Sequence, residues 1–102
     1  MSGLVCIFDR GQGAVVSGEV TTMLEAISHR GPDGRGTWHN SHAGLGHQQL
    51  RSTPESVFDD QPVPDEGIVL VSDARLDNRT ELLNALPITT DPGWTPDSRI
   101  LL

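Results

Sequence analysis

The sequence predicts an α+β fold built as a layered sandwich. Strand-like and helix-like stretches alternate irregularly and include a hairpin, which favours stacked layers over a doubly wound parallel sheet. The glycine clusters do not follow a strand and end in Lys-Ser or Lys-Thr, so no phosphate-binding loop is written here. No internal repeat or low-complexity tract is present.

Each element has its own signal. Gly3 to Phe8 is short, apolar and rich in branched residues before Asp9-Arg10-Gly11, and reads as a buried strand entering a turn. Ser17 can cap a helix in which Val20, Met23, Leu24 and Ile27 share one face, ending near His29. The glycines and proline of Arg30 to Gly36 predict a loop. Thr37–His39 and Ala43–His47 read as two strands joined at Asn40-Ser41. Arg51 to Glu66, dense in Pro, Asp and Ser, predicts a long surface loop.

Ile68–Val71 is the strongest strand signal in the chain. Asn78 stands three residues before Glu81, a capping-box spacing that opens a helix from Arg79 to Leu86 before Pro87. A further loop, Thr89 to Pro96, leads to a helix start at Asp97, and Trp94 is expected to cover the end of the sheet.

A chain of 102 residues is read as one domain, residues 1–102, with a small core, because its aromatics are only Phe8, Trp38, Phe58 and Trp94. The apolar run Ile100-Leu101-Leu102 is unlike the polar, frayed end of most chains, and the expectation is a truncated domain. The formal net charge of −7 repels phosphate backbones and anionic lipid, so neither nucleic acid nor membrane is an expected partner. All the basic side chains other than histidine are arginines, a pattern that fits either solvation in concentrated salt or a codon bias.

Cys6 is alone, which rules out an intrachain disulfide and a thiolate metal cage and suits a reducing, cytoplasmic setting. It is expected as a small buried residue of the first strand. The opening apolar stretch is too short for a signal peptide or a membrane span. His39, His42 and His47 are close in sequence, but strand alternation scatters them over two faces, and no metal site is expected.

Five motifs carry a family resemblance: Met1-Ser2-Gly3-Leu4, His29-Arg30-Gly31-Pro32-Asp33-Gly34, Leu45-Gly46-His47, Gln61-Pro62, and Asp73-Ala74-Arg75-Leu76-Asp77-Asn78-Arg79. In this order they resemble the N-terminal class II glutamine amidotransferase domain of the asparagine synthetase family, which serves asparagine biosynthesis. The resemblance implies an α/β/β/α sandwich of the N-terminal-nucleophile type, with about half of it present. It also implies a following ligase domain that uses ATP and Mg, while this segment needs no cofactor. A small amide such as glutamine, the C-terminal synthetase domain and a second copy in a homodimer are the partners it suggests.

The implied site departs from the family at its reactive positions. Ser2 stands where the family has a nucleophilic cysteine whose free α-amine acts as base, and a hydroxyl ionises far less readily than a thiol. Gln49 occupies the place of the arginine that clamps the glutamine α-carboxylate. Arg51, two residues on and on the same face of an extended segment, could act as a shifted clamp.

Asp73 falls on the oxyanion-hole asparagine, Ala74 on its glycine and Arg75 on the glutamate that follows. A carboxylate aimed at a developing oxyanion repels it. Asp97 matches the aspartate that holds the glutamine amino group. The expected function is therefore a glutaminase-deficient amidotransferase-like domain, a pseudoenzyme segment of an amide-forming ligase. Ser52-Thr53-Pro54-Glu55-Ser56 and Asp77-Asn78-Arg79 resemble relatives of the β-lactam synthetase and lasso-peptide cyclase kind, which need no ammonia. Two other readings stay open: an active N-terminal-serine amidohydrolase, and a free-standing binding module.

Overall fold

The computed structural model describes residues 2–9, 17–87 and 95–102, with Ser17 described by its backbone alone. The main sheet has three antiparallel strands, β1 (Gly3–Phe8), β2 (Gly34–His39) and β3 (Ala43–Gln49), in the order β1-β3-β2. A second sheet pairs β4 (Val63–Asp65) with β5 (Ile68–Leu70). Helix α1 (Ser17–Ala26) lies on the main sheet, and α2 (Arg79–Ala85) and α3 (Asp97–Leu101) follow. Two short 3-10 turns occupy Ser28–Arg30 and Pro54–Phe58. The fold is a small α+β domain with antiparallel sheets, and among the described residues no helix is long and apolar enough to cross a membrane.

Strand alternation divides the main sheet into two faces. Val5 pairs with Gly46, and both point toward α1, where Val20 and Leu24 complete a core in which each apolar side chain is buried. Gly46 permits this approach: a Cβ there would lie 2.8 Å from both Leu24 and Val5 side-chain carbons. Val20 and Leu24 of α1, with Ile27 just past its end, form the packed stripe, whereas Met23, expected on that face, is 37% exposed at its margin. Cys6 is exposed, contrary to the buried position expected of it. Register explains this, because Cys6 alternates with Val5 and faces away from α1, as do the exposed Leu4 and Phe8.

The hairpin joining β2 and β3 forms as expected, with the Asn40 side chain accepting the backbone N–H groups of His42 and Ala43 at 2.8 and 2.7 Å. Strand β2 starts three residues earlier than the loop expectation allowed, since Gly34 already pairs with Gln49. The expected loop from Arg51 to Glu66 also contains more structure, a 3-10 turn and β4. Proline at position 64 is tolerated because β4 is an edge strand. Glu66 and Gly67 both have positive φ (34° and 84°), the signature of a two-residue primed turn closing β4 onto β5.

Helix α2 starts where expected, but the Asn78 side chain makes no capping hydrogen bond. The Ser17 side-chain cap, Trp94 and the Thr89–Trp94 part of the expected loop lie outside the described residues.

Candidate functional site

A cavity of about 290 Å³ opens where the start of β1 meets the end of β3. Its other walls are the 3-10 turn Pro54–Phe58, the segment after β5 and the start of α3. It gathers six of the seven expected site residues: Ser2, Gln49, Asp73, Ala74, Arg75 and Asp97. Arg51 does not line it; its side chain opens on a neighbouring cavity of about 330 Å³.

The antiparallel register that pairs Gly3 with Gln48 carries Ser2 beyond the strand toward Leu50. The Ser2 hydroxyl accepts the Leu50 N–H at 2.9 Å and lies 3.5 Å from the Leu50 carbonyl oxygen, which bonds it to the backbone on both sides. The Ser2 carbonyl in turn accepts the Arg30 Nε–H at 3.3 Å. Arg30 also approaches Asp73 at 3.8 Å, a partly exposed pair of modest strength. Thus the Arg30 motif, expected only to turn the chain, also ties the Ser2 end of β1 to the oxyanion position. Gly31 beside it lies against the β3 backbone, where a Cβ would fall 2.4 Å from the Gln48 carbonyl oxygen.

Gln49 is buried, and its amide NH₂ donates to the carbonyl oxygens of Ser56 at 2.8 Å and Asp59 at 3.1 Å. The residue at the clamp position therefore fastens the 3-10 turn that roofs the cavity. Asp97 is engaged as well: its Oδ2 accepts the Leu76 N–H at 2.8 Å, and its Oδ1 accepts from Arg79 Nη1. Arg79 further donates to the Thr95 carbonyl at 2.6 Å and pairs with Glu55 at 3.6 Å. This guanidinium anchors the first turn of α2 in place of the absent Asn78 cap.

Replacing Arg79 with methionine should cost about 3 kcal/mol, the lower end for a broken buried pair because a fifth of the side chain is exposed. A urea midpoint unchanged from the parent protein would contradict that role.

Sequence reasoning missed the polar scaffold beneath the cavity. Gln61 is buried, donates to Asp59 Oδ2 at 2.8 Å and accepts the Ser72 N–H at 2.7 Å. Ser98 donates to Asp59 Oδ1 at 2.6 Å, so one carboxylate joins the roof of the cavity to α3. His47, on the same sheet face as Gln49, is 3% exposed and lines both cavities. The Gln61-Pro62 and Gly46-His47 motifs marked these positions; apart from Asp59, two residues before Gln61, their partners lie more than ten residues away and had no local signal.

Burial lowers the His47 imidazole below its ordinary value of 6.5, against the opposing pull of Asp59, Asp73 and a backbone bond to Ser72. The unfolded chain then takes up this proton at a higher pH than the folded one. The stability contributed by neutral His47 is complete above the unfolded value and is lost as pH falls from there toward the folded value. Thermal midpoints measured from about pH 7.5 to about pH 5 should fall more in the parent protein than in His47→Gln. Parallel curves would contradict the assignment.

The cavity lining itself is acidic: Glu55, Asp59, Asp73 and Asp97 line it together with a single arginine, Arg75, while Arg79 and Arg30 pair with three of these carboxylates from outside the lining. Arg75 is largely exposed and lies 3.7 Å from Asp77. Among the described residues, no group of three or more His, Cys, Asp or Glu side chains is arranged to hold a metal ion.

A family model described as a glutamine amidotransferase domain matches residues 1–98. Over 58 residues, 55% of this chain, the sequence is 45% identical to a protein of Gibberella zeae described as amidase chry2. That match covers 9% of the relative's length. No solved structure gives a significant match.

Proposed function

Because this chain belongs to the glutamine amidotransferase domain family, we propose that it is an amidotransferase-like domain without glutaminase activity. In this reading it belongs to an ATP-dependent amide-forming enzyme of the asparagine synthetase type, in which ATP and Mg are held by a separate synthetase domain. The amidase name of the Gibberella zeae relative supports amide chemistry as the setting. The exposed Leu4, Cys6 and Phe8 on the sheet face away from α1 support a larger layered sandwich of the N-terminal-nucleophile type, with further layers on that face. A cytoplasmic location belongs to the same proposal.

The observation that carries the loss of activity is the polarity of the cavity. Glutamine hydrolysis in this family's manner needs a cation for the α-carboxylate and donors for the oxyanion. Here four carboxylates and one exposed, paired arginine line the walls, and the amide at the clamp position is bonded to two backbone carbonyls. Purified protein should release no ammonia from glutamine above background. Saturable release that Ser2→Ala abolishes would reject the proposal.

A second reading rests on Ser2 and the buried, neutral His47 lining one cavity, which supplies a hydroxyl and a base to an amidohydrolase. That reading needs the free α-amine or the imidazole to reach the hydroxyl. Intact mass discriminates at once for the α-amine route, since retained Met1 blocks it.

A further inference from the structure

The displaced arginine gives the neighbouring cavity a chemistry of its own. This cavity, about 330 Å³, lies between β2, the end of β3 and the turn at Pro54–Phe58, and its size is at the lower end for small-molecule sites. Arg51 is fixed at its wall by its backbone N–H, which Asp33 accepts at 2.8 Å, while its side chain is exposed. Among the described residues, no carboxylate is paired with the Arg51 guanidinium. Val57 and Phe58, 54% and 50% exposed, are consecutive on the turn that forms another part of the wall.

Charge separates the two cavities. The first has four carboxylates to one arginine; the second is balanced, with Arg35 and Arg51 against Asp59 and Asp60. The Asp59 carboxylate is already bonded to Gln61 and Ser98, which leaves Asp60 as the opposing anion. A guanidinium with no carboxylate partner among the described residues, sharing a cavity with a half-exposed aromatic residue, is complementary to a carboxylate carried on an apolar group: two parallel N–H donors meet the oxygens and apolar side chains meet the hydrocarbon.

We propose that the cavity walled by Arg51, Val57 and Phe58 binds a small monocarboxylate bearing an aryl or branched alkyl group. This proposal is independent of the fate of the glutaminase, since it uses neither Ser2 nor the oxyanion positions.

Amide chemical shifts of the 102-residue chain, titrated with phenylacetate, phenylacetamide and a tripeptide ending in phenylalanine, test it. The expected result is saturable shifts at Arg51, Val57 and Phe58 with the two carboxylates and none with the neutral amide. Whichever carboxylate binds tighter identifies a free acid or a chain terminus as the source. Arg51→Gln should weaken binding by about tenfold or more. Equal responses to acid and amide, shifts centred on Ser2 and Asp73, or no saturation with any probe would overturn the proposal. The comparison of acid with amide uses the parent protein, so it stands even if the variant fails to fold.

Discussion

Ser2→Cys alone is expected to leave glutamine unhydrolysed, whereas Ser2→Cys with Asp73→Asn and Ala74→Gly should raise ammonia release by about 10²- to 10³-fold over the single variant. The thiol restores a nucleophile that is partly ionised at neutral pH. On the proposed reading it still faces the Asp73 carboxylate where negative charge would develop on the substrate, and Coulomb repulsion in a partly enclosed cavity opposes that charge. Exchanging Asp73 for asparagine removes the repulsion and adds a donor, and among the described residues the exchange gives up only a weak ion pair, to Arg30 at 3.8 Å.

The clamp is harder to restore. An arginine at position 49 must give up the bonds to the Ser56 and Asp59 carbonyls and would loosen the turn that roofs the cavity. The triple variant is therefore expected to hydrolyse glutamine with a high KM. Activity in Ser2→Cys equal to that of the triple variant would show that Asp73 does not oppose the reaction.

The largest effect on stability is expected at Leu24. It is fully buried between α1 and the sheet, over Gly46 and beside Val5 and Val20, in a core with few large side chains. Leu24→Ala removes apolar contact and leaves a void that rigid β-sheet backbone cannot fill, at a cost of about 3–5 kcal/mol. A domain of this size has about 5–15 kcal/mol of total stability, so the variant should be largely unfolded under mild denaturant. Urea titration followed by circular dichroism measures this; a loss under about 1 kcal/mol would mean that α1 is not the principal core element.

Those elements whose cause is local were legible in the sequence. The existence of β1, the hairpin at Asn40-Ser41 and the packed stripe of Val20, Leu24 and Ile27 follow from composition, spacing and turn chemistry alone. Met23 misled because a helix on a three-stranded sheet buries a narrower stripe than the full i, i+3, i+4 pattern. Cys6 differs from the expectation because an apolar strand need not be buried on both faces: the sheet face away from α1 is covered over His47 and Gln49 but not over Cys6. Strand β4 escaped notice since its Val-Pro-Asp sequence has no periodicity, and only pairing with β5 makes it a strand.

For the site, motif spacing was enough to name the residues that meet in the cavity, with Arg51 the exception. Arg51 follows the end of β3 at Gln49 and shares the second cavity with Gln49 without reaching the first. The scaffold of Asp59, Gln61, Ser72, Ser98 and Arg79 depends on contacts between distant segments, which no window of sequence contains.

The most direct test of the central claim, that this cavity no longer performs acyl transfer from glutamine, is intact mass after incubation with an electrophilic glutamine analogue that alkylates an N-terminal nucleophile. The account predicts no adduct at Ser2 at any incubation time, any alkylation of the exposed Cys6 thiol being separated by peptide mapping and unaffected by excess glutamine. A stoichiometric adduct that maps to Ser2 and is suppressed by excess glutamine would contradict it.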